Sequence, residues 1–361
     1  MFERRLYYHI DWLLIGAVAT ICAIGLAMIY STTGGAGRVY WTQVYAMGLG
    51  TVAMAACLAI DYRSLADKSH WIYLGVLALL VGVLVFGAVR GGSRRWIELG
   101  AFNLQPSEFA KATLALMLAK MLGESRRPAL TNGDLVIALA LAAVPLLLIA
   151  RQPDLGTAVT LLPILLVIAY VAGMPMRYLG ILALVALVAA PVAYRWGLQD
   201  YQRERISTFL DPAQDPKGAG NQQIQARITV GSGGVWGKGF MGGTQGQLRF
   251  LPVAHNDFIF SVLAEEQGLV GVLVALGLYL FVIVRALDAA RLAKDRLGAY
   301  LVLGVLSSFT FQVIYNITMS AGLAPVKGLT LPLMSYGGSS MIATLAGFGL
   351  ILNVRMRRFT N

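Results

Sequence analysis

The sequence predicts an all-α polytopic membrane protein that forms a single integral membrane domain over residues 1–361. Hydrophobic residues make up 57% of the chain and charged residues only 13%, whereas a soluble domain carries roughly 25% charged residues. Apolar runs of about 20 residues, the length at which a helix crosses a bilayer, recur along the whole chain. We therefore expect about ten transmembrane helices and no separate soluble domain.

The ten predicted spans are read from these apolar runs in chain order. The first run is long enough to cross a bilayer, and no small-residue cleavage site follows it, so we interpret it as a retained anchor rather than a signal peptide. The predicted spans cover residues 11–30, 41–60, 71–89, 106–122, 134–150, 156–173, 178–194, 259–284, 297–319 and 336–354.

The basic residues predict how the spans are oriented. If the N-terminus lies inside, the inner side carries 15 basic residues and the short outer loops carry 6. This asymmetry favours both termini in the cytoplasm. It leaves one long extracytoplasmic loop, about 195–258, between helices 7 and 8. Because the net charge of +11 lies beside the spans, we expect no nucleic-acid partner.

Cysteine and histidine usage argues against a metal site built from protein ligands. Cys22 and Cys57 lie inside the first two spans and are expected to be small buried residues. The three histidines, His9, His70 and His255, are widely separated in the chain. A protein-built zinc site would need a closer set of ligands.

The first polar cluster on the predicted outer side begins at Arg90. Arginines kept there, including Arg94, suggest an anionic partner, and WIELGAFNL is expected to be a short interfacial segment. Glu108 and Lys111 then lie three residues apart, on one face of a predicted span. Charges inside a span usually face a wet cavity or one another. The pair therefore binds a charged substrate or, alternatively, neutralises itself and fixes helix packing.

Two further outer-side segments carry candidate charges. Asp154, in ARQPDLGTAV, is a helix N-cap, a site residue, or a cap that also orients a neighbouring arginine. In the long loop, Arg205 could meet phosphates or simply be a solvated charge. The stretch from Gly231 to Gly246 holds eight glycines in sixteen residues. We expect a mobile loop folded close over something, and not a dinucleotide site, since no strand precedes it.

The fourth cluster is SYGGSS, which begins at Ser335. A glycine-rich helix start exposes backbone N–H groups to an anion, although plain capping explains the same residues. In LPVAHNDFIF, Asp257 stands at the start of the eighth span, where it is either an N-cap or a general base at the membrane boundary. His255 is a rival base because of its intrinsic pKa.

These residue types narrow the reaction class. Glycoside hydrolysis normally needs two opposed carboxylates. Transfer from a sugar diphosphate can proceed with one base, because pyrophosphate leaves as an anion that cations stabilise. A single carboxylate accompanied by arginines and a lysine fits the second scheme better.

Five motifs in this order resemble those of the SEDS family (shape, elongation, division and sporulation). They are RRWIELGAFNLQPSEFAKA, QPDLGTA, GSGGVWGKGF, GTQGQLRFLPVAHNDFIFSVLAEEQG and LPLMSYGGSS. The resemblance runs nearly end to end and is closer to the elongation member than to the division member. It implies a peptidoglycan glycosyltransferase that polymerises lipid II on the outer face of the bacterial inner membrane. A class B penicillin-binding protein and other elongation-complex membrane proteins are the implied partners.

The resemblance also implies roles for particular residues. The family's essential acid falls on Asp257, the general base, and undecaprenyl pyrophosphate is the leaving group. The family's other motif positions fall on Glu108, Lys111, Asp154 and Arg205. No cofactor is certain, and a divalent cation (Mg²⁺ or Mn²⁺) is left open. The chain departs from the family pattern at residue 327, where a lysine stands in place of an uncharged residue.

Two other functions stay open from the sequence. A lipid II flippase would use a similar cavity and similar cations but would need no base. A non-catalytic scaffold for the cell-wall elongation machinery would tolerate changes at Asp257, Glu108 and Lys111 together.

Overall fold

The structure is a computed structural model that describes residues 9–90, 93–99, 102–125, 130–192, 194–195, 200–212, 218–244, 251 and 254–359. It is mostly helical. The first nine helices are α1 Trp12–Thr32, α2 Arg38–Ala59, α3 Tyr62–Asp67, α4 Ser69–Phe86, α5 Pro106–Gly123, α6 Asn132–Arg151, α7 Leu155–Val159, α8 Leu161–Val171 and α9 Met176–Val192. Further along the described part of the chain are α10 Asp200–Leu210, α11 Ala219–Ser232, α12 Ile259–Arg291, α13 Arg296–Ser320 and α14 Gly338–Met356.

Helices occupy all ten predicted spans, but only some of them could cross a bilayer independently. In the described part of the chain, seven helices are long and apolar enough: α1, α2, α4, α6, α12, α13 and α14. The predicted fourth span, α5, carries Glu108, Lys111 and Lys120. The sixth is divided into α7 and α8 at Thr160, and the seventh, α9, has 17 residues. The count of ten spans therefore remains a prediction.

A small antiparallel sheet departs from the all-α expectation. Its strands are β1 Ala88–Arg90, β2 Ser93–Leu99 and β3 Phe102–Leu104, in the order β1-β2-β3. The segment expected to be interfacial contributes β2 and β3 to this sheet, in which Ile97 pairs with Leu104. Aromatic and β-branched residues such as Trp96 and Ile97 favour strands, which explains the local structure.

The long loop also has more regular structure than expected, since it contains α10 and α11. Beyond α11, residues 233–244, here called the glycine strap, fold against the start of α12. Lys238 N–H donates to the Glu265 carbonyl at 3.0 Å, and Leu269 N–H donates to the Gly234 carbonyl at 2.9 Å. A Cβ at Gly233 would lie 1.9 Å from the Ala264 carbonyl oxygen, so only glycine permits this approach. Residues 245–250 lie outside the described residues.

Helix α12 is interrupted where the glycine strap meets it. Gly268 has φ of 64° and ψ of −163°, a conformation outside the helical region that glycine adopts readily. The segment before the break is almost completely buried, and Glu265 and Glu266 are 0% and 2% exposed. The break therefore separates a short buried segment, which follows Asp257, from the long apolar part of the helix.

The helices α13 and α14 form the centre of the bundle. Both are largely buried, and small residues allow close packing. A Cβ at Gly304 would lie 2.8 Å from the Ala115 Cβ. Neither cysteine forms a disulfide; Cys22 is buried, as expected, whereas Cys57 is only partly buried. At the end of α14 remote from Gly338, Arg355 pairs with Asp11 at 2.6 Å.

Candidate active site

A cavity of about 670 Å³ opens at the end of the bundle where α5, α7, α12 and α14 begin. The sheet, α10 and the segment between α13 and α14 complete its walls. Residues from all parts of the chain converge there because several helices start at this one level. The charged residues among its described lining are Arg95, Glu108, Asp154, Arg205, Asp257 and Lys327.

Asp257 lies in the turn that precedes α12. The N-cap position of this helix is Phe258, and no side chain caps it, so the N-cap alternative for Asp257 is wrong. Among the described residues, no group donates a hydrogen bond to its carboxylate. Burial raises the pKa of Asp257 to about 6, and the positive charges of Arg205 and Arg95 partly oppose this rise. A carboxylate with these properties can accept a proton near neutral pH.

His255, the rival base, does not line this cavity. Its ring packs edge-to-face on Tyr336, with 5.5 Å between ring centroids. Burial lowers the pKa of His255, which would leave the imidazole neutral. Its position in the turn therefore favours Asp257 as the group that meets a substrate.

Asp154 combines two of the roles considered for it. Its carboxylate accepts the Thr157 N–H at 3.1 Å, which confirms the N-cap of α7. The same carboxylate lies 3.6 Å from Arg95 and accepts a hydrogen bond from the Gln105 amide at 3.0 Å. Burial raises the pKa of Asp154, while Arg95 and the Thr157 hydrogen bonds lower it. Asp154 therefore orients Arg95 towards the cavity.

Arg94, predicted to bind substrate, does not line the cavity, whereas Arg95 does. Arg94 is exposed and its guanidinium lies 3.5 Å from the Val85 carbonyl oxygen. Of the two adjacent arginines on β2, only Arg95 lines the cavity. Arg95 is therefore the better candidate for contact with substrate, and a role for Arg94 stays a prediction.

Glu108 and Lys111 form a buried ion pair with 2.8 Å between Nζ and Oε2. Each residue is 7% exposed. Glu108 lines the main cavity, but Lys111 lines a second, smaller cavity of about 30 Å³ that adjoins it at Glu108 and Gln312. Lys111 therefore does not line the main cavity itself. It contacts Glu108, which lines both cavities.

Arg205 and Ser335 differ in their relation to the cavity. Arg205, on α10, lines it, and its guanidinium donates to the Val326 carbonyl at 3.3 Å. Ser335 is buried and does not line it, because its hydroxyl accepts the Leu331 N–H at 2.9 Å and closes a turn. The adjacent residues Gly337, Gly338, Ser339 and Ser340 line the cavity instead.

Sequence reasoning did not select three residues that the structure places at the site. Gln105 joins Asp154 to the start of α5, and Asn316 donates to the Asp257 carbonyl at 2.9 Å. Lys327 was noted only as a departure from the family pattern. No local pattern marks the first two residues. For Lys327, a lysine at a position where the family has an uncharged residue could have indicated a role at the site.

The sequence left a divalent cation open as a cofactor. In the described ranges, no group of three or more His, Cys, Asp or Glu side chains is arranged to hold a metal ion.

Comparisons with known proteins agree with the SEDS resemblance. The model of the FtsW/RodA/SpoVE cell cycle proteins matches residues 6–359. The peptidoglycan glycosyltransferase MrdB of Escherichia coli (strain K12) is 38% identical over 351 residues, which are 97% of this chain and 94% of that protein.

Two solved structures are similar over nearly the whole chain. One chain, from work described as "Structural coordination of polymerization and crosslinking by a peptidoglycan synthase complex", has a TM-score of 0.86 and 36% identity, covering 98% of this chain and 99% of that one. The rod shape determining protein RodA of Thermus thermophilus has a TM-score of 0.75 and 34% identity, covering 98% of each chain. Sequence and fold agree from end to end, and the chain therefore belongs to the FtsW/RodA/SpoVE family of cell cycle proteins.

Proposed function

We propose that this chain is a peptidoglycan glycosyltransferase that polymerises lipid II into glycan strands during cell elongation, with Asp257 as the general base. The observation that carries the proposal is a desolvated carboxylate, with a pKa near 6, in a cavity that also holds Arg95, Arg205 and Lys327. The names of its relatives support the reaction class.

The proposed reaction is a single displacement with inversion. The Asp257 carboxylate removes the proton from the 4-hydroxyl of the acceptor's GlcNAc. The hydroxyl oxygen forms a bond to the anomeric carbon of the donor sugar as the bond from that carbon to the phosphate oxygen breaks. The electron pair leaves with undecaprenyl pyrophosphate, and the proton remains on Asp257 until solvent removes it.

The cations act on the leaving group. Negative charge grows on the pyrophosphate as the bond breaks, and positive charges already fixed in position stabilise it. Arg95, held by Asp154, and Arg205, anchored at Val326, are oriented before the substrate binds. Lys111 acts indirectly, since its contact is with Glu108 and not with the main cavity.

The same proposal places the active site on the periplasmic face of the bacterial inner membrane. The cavity lies at the Gly338 end of α14, and the basic cluster around Arg355 lies at the other end. If this cluster faces the cytoplasm, as the distribution of basic residues favours, the cavity faces outward. The similarity to a peptidoglycan synthase complex supports a class B penicillin-binding protein as partner, alongside other elongation-complex membrane proteins.

The test uses purified protein, its penicillin-binding partner and labelled lipid II. Wild type should make glycan strands, Asp257→Asn should make none, and Asp288→Asn, at the far end of α12, should behave as wild type. Lipid II transport is measured in parallel in vesicles. Transport that survives Asp257→Asn, with no polymer from the wild type, would favour a flippase. Equal polymer from wild type and Asp257→Asn would remove Asp257 as the base.

A further inference from the structure

The segment between α13 and α14 holds Lys327 in a constrained position at the cavity wall. Arg205 donates to the carbonyl of the preceding residue, Val326, at 3.3 Å. The next residue, Gly328, has a positive φ of 66°, and a Cβ there would lie 3.6 Å from Asp257 Oδ2. The Lys327 carbonyl oxygen itself packs against Gly156, where a Cβ would lie 2.9 Å away. The backbone is therefore confined on three sides.

The Lys327 side chain lines the cavity and has no anion to neutralise it. In the part of the chain that the structure describes, it makes no hydrogen bond or ion pair. It is half-buried, and burial together with the charge of Arg205 lowers the pKa of its ammonium group. A partly desolvated cation beside another cation is unfavourable until an anion arrives.

The charges that line the cavity are otherwise largely paired. Arg95 lies 3.6 Å from Asp154, and Glu108 lies 2.8 Å from Lys111. Within the described lining, this leaves two cations, Arg205 and Lys327, with the single carboxylate of Asp257. With Lys111 included, this group of charges carries one net positive charge, and Arg205 and Lys327 are the two cations available to an anionic ligand.

We propose that Lys327 is a substrate-binding residue that contacts the diphosphate of a polyprenyl diphosphate-linked sugar in this cavity. The inference rests on the proposed function and adds a residue to it. The ligand class follows from charge: a diphosphate carries at least two negative charges and several oxygens, and so can accept from both the Lys327 ammonium and the Arg205 guanidinium.

A different role, setting the basicity of Asp257, is less consistent with the electrostatics. The charges that lower the pKa of Asp257 are those of Arg205 and Arg95, and the charge that acts on Lys327 is that of Arg205. Lys327 should therefore affect substrate binding and leave the pH at which the base titrates unchanged. A raised KM with an unchanged pH profile indicates a role in binding, whereas a shifted pH profile indicates an effect on Asp257.

The experiment compares Lys327→Met and Lys327→Arg with wild type and with Arg38→Gln, an exposed cation outside the cavity. Lys327→Met should raise the KM for lipid II by about tenfold, the factor that corresponds to about 1.4 kcal/mol. Lys327→Arg should recover most of this loss, and the pH of half-maximal rate should stay unchanged. An unchanged KM in Lys327→Met, or a shifted pH profile with an unchanged KM, would overturn the proposal.

Two further measurements identify the diphosphate and separate this inference from the proposed reaction. Inhibition by undecaprenyl pyrophosphate should weaken in Lys327→Met if Lys327 holds the donor's diphosphate. It should stay the same, with KM still raised, if Lys327 holds the acceptor's. Binding of lipid II to Asp257→Asn and to Asp257→Asn/Lys327→Met is measured without turnover. A weaker affinity in the second would support the Lys327 contact even if wild type formed no polymer, and equal affinities would refute it.

Discussion

The side-chain amide of Asn316 donates hydrogen bonds to the main-chain carbonyl oxygens of both Asp257, at 2.9 Å, and Leu329, at 2.7 Å. Asn316 is fully buried in α13. One amide group therefore joins the turn that carries the proposed base to the opposite segment that carries Lys327. Since Asp257 has no hydrogen bond to its carboxylate among the described residues, its position depends on its backbone contacts.

Replacing Asn316 should therefore impair turnover. Asn316→Leu leaves two buried carbonyl groups without a donor, at a cost of about 1–3 kcal/mol for each group. We expect lower thermal stability and a fall in kcat of about tenfold or more, measured from initial rates of lipid II polymerisation at saturation. Ser307→Ala, which removes only a hydrogen bond within the same helix, is the control. A normal kcat in a folded Asn316→Leu variant would contradict this role.

The rate of polymerisation should depend on pH through Asp257. The base is active when deprotonated, and its pKa is raised to about 6. The rate should therefore rise as pH increases through about 6 and reach a plateau above it. Initial rates at fixed lipid II concentration, from pH 5 to 8, measure this profile. A profile that is flat over this range would show that another group, or another step, limits the rate.

Arg205 should shift that profile in a defined direction. Its positive charge stabilises the Asp257 carboxylate and so lowers the pKa. Removing the charge in Arg205→Gln should move the half-maximal rate to higher pH. The exposed Arg38→Gln variant should leave it in place. A shift to lower pH in Arg205→Gln would contradict the electrostatic assignment.

Adjacent arginines on β2 should differ in importance. Arg95 lines the cavity and is paired with Asp154, whereas Arg94 is exposed. Arg95→Gln should lower kcat/KM for lipid II by about tenfold or more, because hydrogen bonds to charged groups contribute about 1.5–3 kcal/mol. Arg94→Gln should have a much smaller effect. Equal losses in the two variants would mean that the strand places them differently from what the structure shows.

The Glu108–Lys111 pair should be necessary for stability as well as for activity. Lys111→Met leaves the buried Glu108 carboxylate without its partner, which costs about 3–5 kcal/mol. The double variant Glu108→Gln/Lys111→Met should recover much of the thermal stability. Its activity should stay well below that of wild type, because Glu108 also lines the substrate cavity. Recovery of both properties would favour the purely structural role of the pair.

Local patterns predicted several elements correctly. Apolar runs located a helix at each of the ten predicted spans, and the Asp154 N-cap followed from its place before such a run. The same patterns did not predict the strands within WIELGAFNL or the helices α10 and α11 in the long loop. In both segments the apolar residues follow no clear helical or strand period. Contacts with neighbouring elements therefore decide the conformation.

The choice of site residues shows a similar division. Asp257, Glu108, Asp154 and Arg205 were selected from motifs and all line one cavity. The motif does not reveal that Arg95 lines the cavity and Arg94 does not, because this depends on how β2 packs against the helices. Its spacing from Glu108 predicts Lys111 as a second site residue. In the structure, Lys111 contacts Glu108 but does not line the main cavity.

By itself, the sequence determined that the chain is helical and suited to a bilayer, because a spanning segment in hydrocarbon must satisfy its backbone hydrogen bonds internally. It also determined the charges available at one end of the bundle. Only the tertiary structure decided which of these charges meet. Asn316 joins Asp257 to Leu329, and among the described residues Lys327 lines the cavity without an ion-pair partner. Such contacts between distant residues depend on how the helices pack and on where each side chain points.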